Sequence, residues 1–224
     1  MRTTSIVILA IVLFASTNAL TAQKIIAAIN FARKYPKIIA QRIQAQFPNT
    51  KGWDIDPTCY SDAITFLNAQ APLPPLRENL AADLSTYLHS KYCAQVFKGL
   101  THRGVGNSDA GSRLAEVATG GGGWNEIIAE ICRPNPVFPP AEEYIMMWIN
   151  DCSVPSRGHR NSIFATYVTH IGCGAAMAPP NGPWYSTVVT CMGTNAAVIK
   201  PEARSRLAEA GLCQYRNGYE FTGV

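Results

Sequence analysis

The sequence lacks the short motifs that identify most metal-dependent and nucleotide-binding enzymes. It contains no C-x-x-C pair, no H-E-x-x-H helix, no phosphate-binding P-loop and no G-x-S-x-G elbow. These absences argue against a zinc ribbon, a thioredoxin-type redox site, a zincin protease, a P-loop nucleotidase and a standard α/β-hydrolase. Histidine is also scarce, with four residues in the chain. Any imidazole chemistry must therefore use His89, His102, His159 or His170.

Long apolar runs are missing beyond the N-terminus. Arg2 precedes the apolar run "SIVILAIVLFA", and the small-residue stretch "TNA" follows it. This order is typical of a secretory signal peptide, which we place at residues 1–19, with cleavage after Ala19. The run is too short for a comfortable transmembrane span, and no later segment approaches that length. We therefore expect a secreted, extracellular protein with no transmembrane segment.

A large charge surplus is absent as well. The formal net charge is +4, and the basic residues are spread along the chain. A small, dispersed surplus does not favour nucleic-acid binding, so we expect no nucleic-acid partner.

Cysteine is plentiful by comparison, with seven residues in the chain. Secretion makes disulfides the expected state, and an odd number leaves at least one thiol without an intramolecular partner. Cys173 and Cys191 lie in two predicted strands. Both are equally far from Gly182, which lies in the turn between these strands. We therefore predict that they face each other across a hairpin and form a disulfide. The alternative is that Cys173 bonds Cys93, Cys132 or Cys152.

Hydrophobic periodicity predicts an α+β protein. In "RENLAADLSTYLHSKYCAQVF" the apolar residues Leu80, Leu84, Tyr87, Leu88 and Tyr92 line one face of a long helix. The segment "WNEIIAEIC" is also interpreted as helical. "TYVTHIGCGAAMA" and "WYSTVVTCMG" are predicted strands on either side of an Asn-Gly turn.

Two of the four histidines are candidates for chemistry. His102 and His159 lie in glycine-flanked loops, where a side chain can project into a cleft. His89 is placed on the long helix and His170 in a strand, and both are predicted to be structural.

Three segments, in order, carry a family resemblance. "PLPPLRENLAADLSTYLHSKYC", "THRGVGNSDAGSRLAEVATGG" and "WINDCSVPSRGHRNSIFATYVTHIGCG" resemble the CAP superfamily of cysteine-rich secretory proteins, antigen 5 and pathogenesis-related protein 1. The resemblance covers residues 24–195, which we take as the CAP domain, followed by a C-terminal extension with a short helix at 196–224. It implies a three-layer α-β-α sandwich with a cleft in which two histidines face two acids. Position by position, these are His102, Glu116, Asp151 and His159.

Two imidazoles and two carboxylates suit a divalent metal such as Zn²⁺, which accepts nitrogen and oxygen ligands. The same groups could perform acid–base chemistry, although no serine near them stands in a motif that marks it as a nucleophile. They could equally form a hydrogen-bonded network that holds the loops.

These observations predict a secreted, non-enzymatic binding protein. The resemblance implies a sterol or another lipid as the ligand, with a possible metal in the cleft. One alternative is a secreted protease that uses His102 and His159. Another is an interaction or immune-modulating protein that binds a cell-surface partner and has a vestigial cleft.

Overall fold

The computed structural model describes residues 22–46, 58–210 and 212. The predicted signal peptide at 1–19 lies outside these residues. The helices are α1 (22–34), α2 (Pro36–Gln46), α3 (Thr58–Ala69), α4 (Leu80–Lys91), α5 (Ala110–Val117), α6 (Ala141–Asn150), α7 (Gly158–Ile163) and α8 (Arg206–Glu209). The strands are β1 (Arg77–Glu78), β2 (Ala118–Gly120), β3 (Trp124–Arg133), β4 (His170–Met177), β5 (Tyr185–Thr194) and β6 (Ala197–Ile199).

A four-stranded sheet forms the middle of the molecule, in the order β1-β4-β5-β3. Strands β4 and β5 form the predicted hairpin, β3 pairs antiparallel with the other side of β5, and β1 is parallel to β4. The short strands β2 and β6 pair separately. Among the described residues, no helix combines the length and the apolar character needed to cross a membrane.

The sheet is covered by helices on both faces, because successive strand side chains point in opposite directions. One hydrophobic core lies on the first face of the sheet. There the strand residues Ile127, Ile171 and Cys191 pack against residues of α1, α2, α3, α6 and α7. Met192, next to Cys191, packs instead with residues of α4 and α5. We call these the α6/α7 face and the α4/α5 face. The predicted α-β-α sandwich is confirmed.

The backbone of helix α4 lies directly against the glycines of β4, with no large apolar side chain between them. A Cβ built on Gly172 would fall 2.3 Å from the backbone carbon of Ala82, and one on Gly174 would fall 2.1 Å from the backbone nitrogen of Tyr87. Only glycine permits so close an approach. The fully buried residues of the helix are mainly small and polar, namely Ala81, Ala82, Asp83, Leu84, Ser85, Thr86, His89 and Ser90. Of the predicted face, Leu84 is buried, Tyr87, Leu88 and Tyr92 are partly buried, and Leu80 is exposed.

Residues 124–132 form a strand rather than the predicted helix. The segment contains both a helical arrangement of apolar residues and a run rich in isoleucine, and a short run of this kind cannot be assigned by periodicity alone. Ten consecutive pairings with β5 decide the matter. This correction changes which acid belongs to the candidate site.

Two disulfides are present among the described residues. Cys173 and Cys191 stand directly opposite each other across the hairpin, with Cα atoms 4.1 Å apart, so the predicted bridge is confirmed. Cys59 bonds Cys152 and thereby ties α3 to the segment after α6. Cys93 is free and buried, Cys132 is free and exposed, and Cys213 lies outside the described residues.

Candidate functional site

The first histidine pair joins Asp151 and His159. Asp151 follows α6 with a left-handed backbone (φ 54°), which turns the chain back toward α7. One carboxylate oxygen lies 2.7 Å from Nδ1 of His159, and the other accepts the His159 backbone N–H at 2.9 Å. The carboxylate is almost fully buried, whereas the imidazole is partly exposed. Asp151 therefore fixes both the position and the orientation of the ring.

Two arginines hold the loop that carries this pair. Arg160 is buried and donates to the carbonyl oxygens of Ile149 and Asn150 and to Asp62. Arg157 donates to the Asp151 carbonyl at 2.7 Å and also to Asp62. Burial would raise the pKa of Asp62, but bonds and charges from Arg160 and Arg157 outweigh it and lower that pKa. The loop is thus rigid around His159.

The second pair joins His102 and Glu126. Nδ1 of His102 lies 2.8 Å from the Glu126 carboxylate, which is buried, while the imidazole is about half exposed. Arg113 of α5 also binds Glu126 and donates to the carbonyl oxygens of His102 and Ser108. Glu126 is therefore the common acceptor of a histidine and an arginine.

Glu116, the acid expected for this position, lies on the exposed side of α5. Within the described part of the chain, no hydrogen bond or ion pair joins it to His102 or His159. Sequence reasoning missed Glu126 because the family resemblance placed this acid at Glu116. The helical interpretation of residues 124–132 also gave Glu126 no position on the sheet. In the observed strand, Glu126 points to the same face as Ile128 and opposite to Asn125.

The two pairs start from opposite faces of the sheet. Glu126 contacts Arg113 on the α4/α5 face, whereas its neighbour Asn125 contacts Ser162 of α7 on the α6/α7 face. Across the described residues, no three side chains of histidine, cysteine, aspartate or glutamate are grouped so that they could hold a metal ion. As arranged, His102, Glu116, Asp151 and His159 do not fit one shared metal ion, and the predicted metal stays a prediction.

Each pair leaves one ring nitrogen for another partner. A carboxylate only accepts hydrogen bonds, so Nδ1 of each histidine carries the proton and Nε2 of the neutral ring has the lone pair. Histidines oriented in this way can accept a proton, bind a ligand donor or ligate a metal. Each fixed imidazole can therefore bind a ligand or transfer a proton through its Nε2.

His89 and Cys93 lie behind the second pair. Nε2 of His89 is 2.8 Å from the Thr101 carbonyl oxygen and 3.6 Å from the Cys93 sulfur. Burial lowers the pKa of His89 and raises the pKa of Cys93, which favours a neutral imidazole and a neutral thiol. Both side chains are enclosed, in keeping with the predicted structural role of His89.

A groove of about 450 Å³ lies at the β1 edge of the sheet. It runs between the proline-rich connector before β1 and the segment that leads into β4, and it is lined by Arg33, Leu73, Pro74, Pro75, Leu76, Arg77, Thr166, Val168, Thr169 and His170. Neither His102 nor His159 lines it. Burial and the charge of Arg77 lower the pKa of His170.

Comparison with known proteins decides the family. The model of the cysteine-rich secretory protein family, CAP, matches residues 26–192. The chain belongs to this family. Among solved structures, this CAP chain is similar to an outer surface protein from Borrelia burgdorferi, with 14% identity, 54% of this chain and 77% of that chain covered, and a TM-score of 0.40.

A second solved structure is an extracellular protein containing an SCP domain from Bacillus anthracis. The identity is 19%, 60% of this CAP chain and 41% of that chain are covered, and the TM-score is 0.36. No curated protein gives a significant match. The family and the two disulfides agree with an extracellular-type domain.

Proposed function

We propose that this CAP protein is an extracellular binding protein whose groove holds one small lipid. The observation that carries the proposal is the groove at the β1 edge, with its volume of about 450 Å³. Small-molecule sites are commonly about 300–1,000 Å³ and mostly apolar, with a few polar groups that orient the ligand. Leu73, Pro74, Pro75, Leu76 and Val168 supply the apolar lining.

Hydrogen bonds from α1 hold both walls of the groove in place. The buried Arg33 guanidinium donates to the carbonyl oxygens of Pro74 on one side and of Ile163 and Ala165 on the other. Asn30 exchanges two hydrogen bonds with the backbone of Leu76. A site whose walls are already fixed loses little conformational entropy when a ligand binds.

Polar side chains at the β1 end of the groove indicate the kind of ligand. Arg77 and His170 start two neighbouring parallel strands, and Thr169 lies beside His170. The permanent charge of Arg77 favours an anionic or strongly polar head group, and the prolines and leucines favour an apolar body. An amphipathic lipid with an acidic head group meets both conditions.

The test is lipid extraction from the secreted protein followed by mass spectrometry. Thr166 is exposed at the groove rim, so Thr166→Trp should fill the groove without disturbing the core and should remove the bound lipid. Thr65→Trp, at an exposed position on α3 outside the groove, is the matched control and should keep it. If the parent and Thr166→Trp bind the same amount of lipid, the groove is not the lipid-binding site.

The histidine pairs provide an internal comparison. Because neither ring lines the groove, His159→Ala should leave lipid binding unchanged. If His159→Ala loses the lipid and Thr166→Trp keeps it, the ligand binds at the histidines and not in the groove. Elemental analysis of the same proteins tests the predicted zinc. About one equivalent per chain in the parent that is lost in His159→Ala would support a metal at His159.

A further inference from the structure

Three loops leave the sheet at the end opposite the groove. This is the end where β3 and β4 finish and β5 begins, since Arg133 pairs with Tyr185. The π-helical turn that ends the long helix (Tyr92–Phe97) lies beside the hairpin, where Gln95 donates to the Met177 carbonyl. The hairpin loop at 178–184 and the loop at 134–140 complete this end of the molecule.

Large apolar side chains from all three loops face solvent here. The exposed fractions are 69% for Val96, 51% for Phe97, 59% for Val137 and 50% for Trp184. We call these four residues the loop surface. Exposed apolar residues are ordinary when scattered, but a group at one end of a molecule marks an interaction site.

None of the three loops carries an acidic residue. Residues 91–108 contain no acidic residue, and the loops at 134–140 and 178–184 contain no charged residue. Lys98 is exposed directly after Phe97, and Arg103 is exposed a few residues later. The nearest carboxylates of β3 and α6 already have partners: Glu130 accepts from Ser186, and Glu143 pairs with Arg133. Glu142 is a further acid at the start of α6 and is exposed.

The loops hold these side chains outward. Prolines restrict the backbone of two of the loops, with Pro134, Pro136, Pro139 and Pro140 in one and Pro179, Pro180 and Pro183 in the other. At the hairpin tip, Gly182 adopts φ +61° and has open space around it, so the tip projects from the body. Protruding apolar residues suit insertion into a soft layer better than docking into a rigid, complementary surface.

We infer that the loop surface docks on an anionic lipid membrane, with Phe97 and Trp184 inserted at the headgroup level and Lys98 facing the anionic headgroups. Tryptophan and phenylalanine partition to this interface because their rings are largely apolar, and tryptophan adds a polar N–H. Nearby lysines strengthen such binding by electrostatic attraction. The inference does not depend on the groove, which lies at the other end of the sheet.

Flotation of the full secreted protein with vesicles tests the inference. The parent should float with vesicles that contain phosphatidylserine. The double variant Phe97→Ser with Trp184→Ser should bind at least about tenfold more weakly, since it removes two large apolar side chains. The control Ile38→Ser with Val198→Ser removes exposed apolar side chains elsewhere and should bind like the parent.

Charge provides a second measurement. Lys98→Glu should weaken binding about fivefold or more, because each cation near an anionic surface contributes about 1 kcal/mol. Trp184 fluorescence should shift to the blue on binding in a background where the other tryptophans are replaced by phenylalanine.

Three results would overturn the inference. One is a parent that fails to float, and another is a double variant that floats as well as the parent. The third is a dimer in analytical ultracentrifugation that disappears in the double variant, which would make the loop surface a contact between copies. Lipid extraction without vesicles tests lipid binding in the groove, and flotation tests membrane docking by the loop surface. Either proposal can therefore fail while the other holds.

Discussion

Glu126 is the residue on which the second histidine pair depends. Its buried carboxylate accepts from His102 and from Arg113, whose side chain is itself largely buried. Glu126→Gln removes the charge that offsets the Arg113 guanidinium. The free energy of unfolding should fall by about 3 kcal/mol, the usual loss when one partner of a buried ion pair is removed. Urea denaturation measures this change.

The matched control is Glu116→Gln, which alters an exposed side chain and should change stability by less than about 0.5 kcal/mol. Equal destabilisation by the two variants would contradict the assignment of Glu126.

The buried carboxyl of Asp83 predicts a pH dependence of stability. Its carboxyl is buried in α4, accepts the Cys173 backbone N–H at 2.9 Å and bonds Glu78. Burial, followed by the negative charge of Glu78, raises the pKa of Asp83 well above its ordinary value. The folded state therefore keeps a proton that the unfolded state loses near its ordinary pKa of about 3.9.

The stabilisation from this proton is complete below that unfolded pKa and is lost as pH rises through the folded pKa. Asp83→Asn has no proton to lose. Relative to the parent, this variant should become progressively more stable as pH rises from 4 to 8. Denaturant titrations across this pH range give the difference. A constant difference between the two proteins would contradict the raised pKa.

Single residues of the site differ in how far they could be predicted. His159 and Asp151 lie eight residues apart in one distinctive segment, so their pairing follows from local chain geometry. The position of Glu126 depends on whether residues 124–133 form a strand or a helix. Its pairing with Met192 of β5, a distant segment of the sequence, settles that. Arg113 could not be predicted, because its partner is brought to it only by the sheet.

At the scale of elements, the contact between α4 and β4 sets the thickness of one layer. Gly174→Ala would place a methyl group 2.1 Å from the Tyr87 backbone nitrogen, so the helix must move away from the sheet. Overpacking of this kind costs about 1–3 kcal/mol, and backbone rather than a flexible side chain must shift here.

Gly122→Ala is the control, because a Cβ at Gly122 meets nothing within 4 Å. Urea denaturation should show a clear loss for Gly174→Ala and little change for Gly122→Ala. Similar stability in both variants would show that α4 can shift freely.

Element types were predictable where turn chemistry or long periodicity marked them, as in α4 and the β4–β5 hairpin. The close approach of α4 to the sheet was not predictable from its apolar residues, because its closest contacts are made by backbone atoms. Such contacts appear in the sequence as glycines of the partner strand, Gly172 and Gly174, rather than as apolar residues of the helix.

At the scale of the whole molecule, the two disulfides close loops of very different size. Cys59 and Cys152 are 93 residues apart, whereas Cys173 and Cys191 are 18 apart. In the chain-entropy account, closing about 100 residues stabilises by about 4.7 kcal/mol and closing about 15 residues by about 3 kcal/mol. Replacing Cys59 and Cys152 by alanine should therefore lower the free energy of unfolding more than replacing Cys173 and Cys191.

Guanidinium denaturation of the two double variants measures this difference, and peptide mapping without reduction confirms each remaining bridge. A larger loss for the hairpin pair would show that local packing outweighs loop size.

The overall architecture followed from a motif that occupies part of the chain, because that motif is tied to one family fold. The loop surface and the groove did not follow from it. Each is assembled from segments that are distant in the sequence, and exposure is decided only when the layers are packed.

The hydrogen bonds of Arg33 have a consequence for the order of assembly. Arg33 stands near the start of the described chain and donates to the Ile163 carbonyl, 130 residues further along. Ribosomes add about 5–20 residues per second, so this partner is made roughly 6 to 26 seconds after Arg33. Until then, α1 can pack against α2 and α3 but lacks its contacts with α7 and with the sheet strands that follow it. The first helix that the structure describes is thus completed only after the chain has been made as far as α7.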